Sequence, residues 1–422
     1  MTTPETRETT TMWNTLLRAA RVSTAAGFAT LLLGGCSNLL EVDYPGLIPT
    51  EQLDDPSLAP VLVTSVIGDF ECAYNNYTAG SSFHSDEFES ANGNVTLSFW
   101  GERGMTAADA FYVNGACEQS MGIYRTLQTA RFQSEDVFKR LQAWTDAQVD
   151  GRTAKMATVR AYGAYSYALM GETFCAVAFD GGPQQAPVEA LKVAETQFGE
   201  AIALAQQAGN AQIVTMARAG LARVKMDLKK WNEAAQLAQQ IPADFELLAS
   251  RAANTDRLWN NHYFFGVSTA AYVVADAYRG MNDPRVLVLD TNSPAFTPSI
   301  ELWITTKYAT LGSPIRLASY REARLILAEA LAQQGQVGPA MTILNARRAE
   351  VGLAPLAAAT QAEAVAHVIQ ERRKELSFEG GHRLNDLLRY QIPWKVGANP
   401  YDGRPYGNTT CYPFPVQELQ GS

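Results

Sequence analysis

Histidine is scarce in this sequence. The 422 residues include four, His84, His262, His367 and His382, and they lie too far apart for the short spacings that hold a metal ion. There is no GxSxG elbow, no HExxH helix and no phosphate-cradling glycine loop, so the local signatures of serine hydrolases, zincins and P-loop enzymes are missing. Positive charge is also short: 34 Lys and Arg stand against 43 Asp and Glu, a formal net charge of −9. A nucleic-acid partner would require a basic stripe to displace counterions, and this balance argues against one. The cluster His84, Asp86, Glu87 and Glu89 lacks the glycine-turned ligand order of a calcium loop and reads as a solvated acidic loop. No pair of the 43 acidic residues stands out as the two carboxyls of a glycosidase. The expectation is a protein with no catalytic residue, no metal and no cofactor.

Long apolar runs are confined to the N-terminus. From Met12 the chain reads "MWNTLLRAARVSTAAGFATLLLGGC", with Arg18 and Arg21 ahead of an apolar stretch that ends in Leu31, Leu32 and Leu33. That stretch is shorter than the roughly 20 apolar residues of a spanning helix, and the order of basic, apolar and small residues is that of an export signal. Leu33, Gly34, Gly35 and Cys36 resemble a bacterial lipobox, which makes residues 1–35 the signal and Cys36 the lipidated residue. Glu5 and Glu8 are foreign to a signal's basic start, so translation from Met12 is expected. Residues 36–57 are rich in Pro, Asp and Glu and read as an extended tether.

With Cys36 set aside, Cys72, Cys117, Cys175 and Cys411 remain. In an exported protein an even number suggests disulfides, and four cysteines allow three connectivities. Cys72 with Cys117 and Cys175 with Cys411 is the preferred pairing, and buried free thiols are the alternative.

Helical periodicity dominates residues 58–422, which are expected to form one mainly α domain, 47% of the whole chain being hydrophobic. Val63, Ile67, Phe70, Tyr74 and Tyr77 share one helical side, after which residues 81–104 read as a long polar loop with embedded aromatics. Three later stretches share one set of offsets: Phe198, Ala201, Ala205 and Ala208; Trp231, Ala234, Ala238 and Ile241; and Val337, Ala340, Leu344 and Arg347. Phe198 and Trp231 are 33 residues apart, close to the tetratricopeptide period of roughly 34. Each stretch reads as the second helix of such a repeat, with first helices carrying Leu221 and Ala222, or Leu327 and Ala328. Residues 243–315 interrupt the repeats with aromatic and turn residues that keep no helical period.

The segments "CSNLLEVDYPG", "NDPRV", "YREARLILAEALAQQG", "ERRKELSFEGGHRLNDLLRY" and "CYPFPVQEL" together resemble the SusD/RagB family of outer-membrane lipoproteins. The resemblance implies tetratricopeptide-like helix pairs forming a superhelical scaffold, with a loop-rich irregular half that holds ligand. It implies capture of a nutrient, an oligosaccharide or in some members a peptide, for delivery to a SusC-type TonB-dependent transporter. A lipid-anchored position on the outer membrane follows from it as well. The alternative is a periplasmic tetratricopeptide lipoprotein that binds protein partners.

A glycan site requires flat aromatic faces edged by amides and carboxylates. The candidates are Trp100 in the polar loop, Tyr74 and Tyr77 beside Asn75 and Asn76, and Trp259 and Tyr263 around Asn260 and Asn261. Ordinary packing is the competing explanation for each. At residues 371–390, Arg372 falls within the apolar stripe of Val365, Val368, Ile369 and Leu376. A buried guanidinium requires a carboxylate partner, expected to be Glu375, Glu379 or an acid from a neighbouring repeat. Gly380 or Gly381 should end that helix, with Arg383 and Arg389 reaching back to the same carboxylates and His382 structural.

Overall fold

The computed structural model describes residues 52–93 and 95–420. The signal segment, Met12, Cys36 and most of the tether lie outside the described residues. The fold is mainly α. Helix α1 (Ala59–His84) is followed by α2 (Val95–Gly101), α3 (Tyr124–Ala143), α4 (Arg152–Thr173), α5 (Pro187–Gln207), α6 (Ala211–Asp227) and α7 (Trp231–Ala238). After the irregular insert come α8 (Tyr320–Gln333), α9 (Val337–Glu350), α10 (Gln361–Glu375) and α11 (His382–Arg389). Consecutive helices pack as antiparallel-type pairs, α4 on α5, α6 on α7 and α8 on α9, and α7 also packs on α8 across the insert. The repeating offsets therefore fall on α5, α7 and α9, with α6 and α8 as first helices, as their spacing predicts. Close approach explains the small residues: the Phe198 ring of α5 lies directly against Gly220 of α6, where any side chain would collide.

The insert contributes most of the short strands, with β1 coming from the segment after α1 and β6 leading out of the insert. Three antiparallel ribbons form: β1 (Phe88–Ser90) with β3 (Tyr272–Val274), β2 (Glu246–Ala249) with β6 (Ile315–Ser319), and β4 (Val288–Pro294) with β5 (Glu301–Thr305). Phe88 pairs with Val274, and Val288 with Thr305.

The structure corrects the reading of residues 81–104. Helix α1 runs through Ser81 and Ser82 to His84, all three fully buried, before β1 and α2 take up the rest. Several hydroxyls in and just after this helix are satisfied by backbone carbonyls of the helix itself. Thr78 donates to the Asn75 carbonyl (3.1 Å), Ser81 to that of Thr78 (3.2 Å) and Ser85 to that of Ser82 (2.9 Å). The acidic cluster is likewise not a solvated loop. Asp86 binds Arg383, Glu87 accepts the Phe378 N–H at 2.6 Å, and Glu89 binds Lys395 and the Tyr406 hydroxyl. Burial, with Arg103 nearby, pushes the His84 imidazole down to about 4. No group of three or more His, Cys, Asp or Glu placed to hold a metal occurs among the described residues.

The corner between α10 and α11 contains a buried ionic network in which the expected pairing is met in part. Arg372, fully buried, bonds Asp386 of α11 at 2.9 Å and lies 3.6 Å from Glu329 of α8. Glu375 instead binds Arg347 of α9 at 2.9 Å, and Glu379 binds Lys307 at 2.8 Å and Arg316 of β6. Arg383 reaches Asp86 at 2.5 Å, while Arg389 binds Glu329 at 2.7 Å and Asp386 at 2.8 Å. The reason is directional. Arg372 points towards α8 and α11, whereas Glu375 points to α9 and Glu379 lies past the helix end beside the insert. Of the three expected sources, the neighbouring repeat supplies the carboxylate Glu329, and α11 adds Asp386.

Deeper in the core, Arg223 of α6 makes two 2.6 Å bonds to Glu172 of α4 and a 3.0 Å bond to the Gly380 carbonyl. His382 is buried beside it. Burial and the surrounding arginines hold its imidazole well below the usual histidine range, so it is neutral.

Candidate binding cleft

A cleft of about 520 Å³ opens on the described body. Its floor is the first half of α3. The inward stripe of that helix, Leu127, Ala130, Ser134, Val137 and Phe138, is buried, which leaves Arg125, Gln128, Thr129 and Phe132 facing outwards. One wall is the 178–181 loop and the other the C-terminal segment around Pro415, Gln417 and Glu418.

Residue pairing explains why two segments so distant in sequence meet here. Cys175 is joined to Cys411 in the structure. Next to that bond, the Cys175 N–H donates to the Tyr412 carbonyl (2.9 Å) and the Tyr412 N–H to the Thr173 carbonyl (2.8 Å). The Tyr412 ring is fully buried against Tyr112, Phe174 and Trp100, with centroids 5.6–5.9 Å apart. The Val416 N–H then bonds the Ala107 carbonyl at 3.1 Å, which sets the course of the wall.

Polar side chains within the lining are tied to one another. Arg131 bonds both Asp180 oxygens (3.0 and 3.3 Å) and Gln128 Oε1 (2.9 Å), with its guanidinium over the Phe179 ring. Burial, which lowers the affinity of Arg131 for its proton, is outweighed by these bonds, so the group is held more firmly protonated than usual. Gln128 Nε2 donates to the Ala178 carbonyl (2.9 Å) and the Tyr124 hydroxyl (3.2 Å). Burial, reinforced by Glu418, pushes the Tyr124 hydroxyl upwards, so it remains a neutral donor. Phe132, 54% exposed, offers a bare ring at the edge. An aromatic face, the amides Asn114, Gln128 and Gln417, and the carboxylates Asp180 and Glu418 therefore share one cleft. Such a set can stack on a sugar face and bond its hydroxyls.

None of the sequence-predicted ligand residues lines this cleft. Trp100, Tyr74 and Tyr77 are each 0% exposed, so no ligand reaches them in this structure. They are packing residues. The Tyr74 hydroxyl donates to the Arg316 carbonyl at 2.5 Å, and Tyr77 faces Glu172 at 3.5 Å. Their amide neighbours are turned inwards too: Asn75 bonds the Trp259 carbonyl (2.9 Å), and Asn261 bonds Asn76 (2.9 Å). Trp259 is half-buried, lying over Phe264 with Nε1 bonded to the Ala253 carbonyl, and Tyr263 lines a closed slot beside Trp303. Elsewhere on the insert, Arg279 lies over the half-buried rings of Trp303 (5.3 Å) and Tyr401 (5.9 Å). Cys72 is joined to Cys117. The sequence signal for the cleft was Phe132 on an otherwise polar helical face, one and two turns from Gln128 and Arg125.

Residues 291–416 match the SusD family. Among curated proteins no sequence matches significantly. The structure is similar to that of a SusD homolog from Bacteroides thetaiotaomicron, with a TM-score of 0.69 and 14% identity, covering 89% of this chain and 98% of the other. It is also similar to a SusD-like carbohydrate binding protein from Bacteroides fragilis, with a TM-score of 0.63 and 15% identity, covering 88% and 99%. A SusD-like carbohydrate binding protein from Bacteroides vulgatus gives a TM-score of 0.63 at 15% identity, covering 80% and 84%. At these identities the likeness establishes the fold.

Proposed function

We propose that this chain, SusD-like in fold and matched to the SusD family over residues 291–416, is a non-catalytic binding lipoprotein that captures an oligosaccharide. Its cargo then passes to a SusC-type TonB-dependent transporter in the outer membrane, to which Cys36 anchors it. The observation that carries the binding role is the cleft on α3, where an exposed aromatic ring, three amides and two carboxylates converge. Similarity to solved SusD-like carbohydrate binding proteins supports the choice of glycan over peptide. The anchor rests on the lipobox resemblance and the transporter on the family resemblance. No helix among the described residues is long and apolar enough to cross a membrane, which agrees with attachment through a lipid.

Calorimetric titration against a polysaccharide panel is the direct test. Phe132→Ala should lower glycan affinity about tenfold, roughly 1.4 kcal/mol, the scale of one well-placed aromatic contact. Loss of binding in Trp303→Ala with unchanged binding in Phe132→Ala would move the site to the insert. Co-purification of a large β-barrel receptor tests the delivery step, and recovery of only soluble periplasmic proteins would favour the scaffold alternative.

A further inference from the structure

We propose that the cleft continues past Arg125 and Thr129 as one groove that takes an acidic oligosaccharide, a uronate-bearing chain, in extended form with a ligand carboxylate on Arg125. This rests on the glycan-binding reading above and narrows it. Arg125 and Thr129 line both the cleft and a second cavity of about 260 Å³, whose other walls include Asp69, Glu118 and Arg257. The two spaces therefore meet along a single helix. Arg125, Thr129 and Phe132 are all exposed and follow one another at helical spacing, so they form a continuous strip of floor.

Both ends of the groove are tied down covalently. The Cys72–Cys117 bond ties the 115–118 loop to α1 at the second cavity, and the Cys175–Cys411 bond ties the C-terminal wall at the first. Walls tied in this way present an extended path at little ordering cost, which favours a long, semi-rigid ligand over a small one.

Among the described residues, one unpaired arginine among the groove's charges points to the ligand class. Arg131 is engaged by Asp180 at 3.0 Å, and Arg257 lies 3.6 Å from both Asp69 and Glu118. Glu418 faces the Tyr124 hydroxyl. That leaves Arg125, exposed and standing between the two cavities, as the groove arginine with no ion pair among the described residues. A guanidinium offers a planar fork of donors that matches a carboxylate two bonds at a time. A neutral glycan supplies no such partner, whereas a uronate carries one on every acidic sugar.

The test compares disaccharides and hexasaccharides of polygalacturonate and alginate with the same chains after carboxyl reduction, titrated into the wild type and Arg125→Gln. Circular dichroism confirms that the variant is folded. The expected result is that an acidic hexasaccharide binds at least about tenfold tighter than its reduced form and than its disaccharide. Arg125→Gln should erase the difference between acidic and reduced chains. Equal affinity for the two forms, an acid preference that survives Arg125→Gln, or no gain with chain length would each overturn the proposal and leave the glycan reading intact. Failure to bind these chains while a neutral polysaccharide binds would do the same. Failure of every glycan in the panel would remove both.

Discussion

Arg372 and Glu87 show what a single buried charge requires. Removing one partner of a buried pair strands the other, at a cost of roughly 3–5 kcal/mol, which is why Arg372 is held by Asp386 and Glu329 together. Glu87 is less well compensated. Burial raises its carboxyl from 4.5 to about 7, opposed only in part by the Phe378 N–H and the Ser82 hydroxyl. The sign follows from linkage: with the folded value above the unfolded one, the folded state binds more protons between them. Stability from this group is therefore full below pH 4.5 and is lost as pH rises towards about 7. Glu87→Gln should flatten that part of the stability curve, measured by urea denaturation across the window. An unchanged slope would show that other buried acids carry it. The sequence displayed both residues, but not their distant partners, Asp386 and Glu329 for Arg372 and the Phe378 N–H for Glu87.

Among the elements, the break between α10 and α11 is the most constrained. Gly380 and Gly381 have φ of 53° and 71°, in the left-handed region that other residues enter at a cost. A Cβ on Gly381 would sit 2.5 Å from the Tyr77 ring, and one on Gly380 would sit 2.8 Å from the Tyr74 hydroxyl. Two tyrosines that read as ligand platforms are thus the surfaces against which the turn closes. Gly381→Ala should destabilise the fold by roughly 2–4 kcal/mol, combining left-handed strain with overpacking, as read from the denaturation midpoint. A change below about 0.5 kcal/mol would mean that the turn relaxes freely. The left-handed glycines were legible from the charge-dense run and its interruption, but they do not end α10 as expected: that helix stops at Glu375 with Leu376 as its cap, and Gly381 caps the start of α11. The tyrosines were misread because a helix shows which residues share a side and not whether that side meets solvent.

Across the whole molecule, the two disulfides join segments that helical packing alone leaves free. Cys72–Cys117 spans 45 residues and Cys175–Cys411 spans 236. Non-reduced peptide mapping should recover these two linkages and no free thiol among the four cysteines. Reduction should cost about 2–4 kcal/mol per bond and weaken glycan binding, because both bonds shape walls of the groove. Recovery of four alkylatable thiols from the native protein would contradict this pairing.

The paired helices, the non-helical insert, the left-handed glycines and the arginine within an apolar stripe were written in local order, since period and spacing act over a few turns of chain. The cleft was not. It is assembled from α3, a loop after Cys175 and a tail after Cys411, brought together by tertiary packing, and a sequence records no distance between residues so far apart. Burial has the same origin. Trp100 and Phe132 are both aromatic residues in polar surroundings along the chain, and only the packing of other elements decided that the first is sealed in the core and the second is left bare.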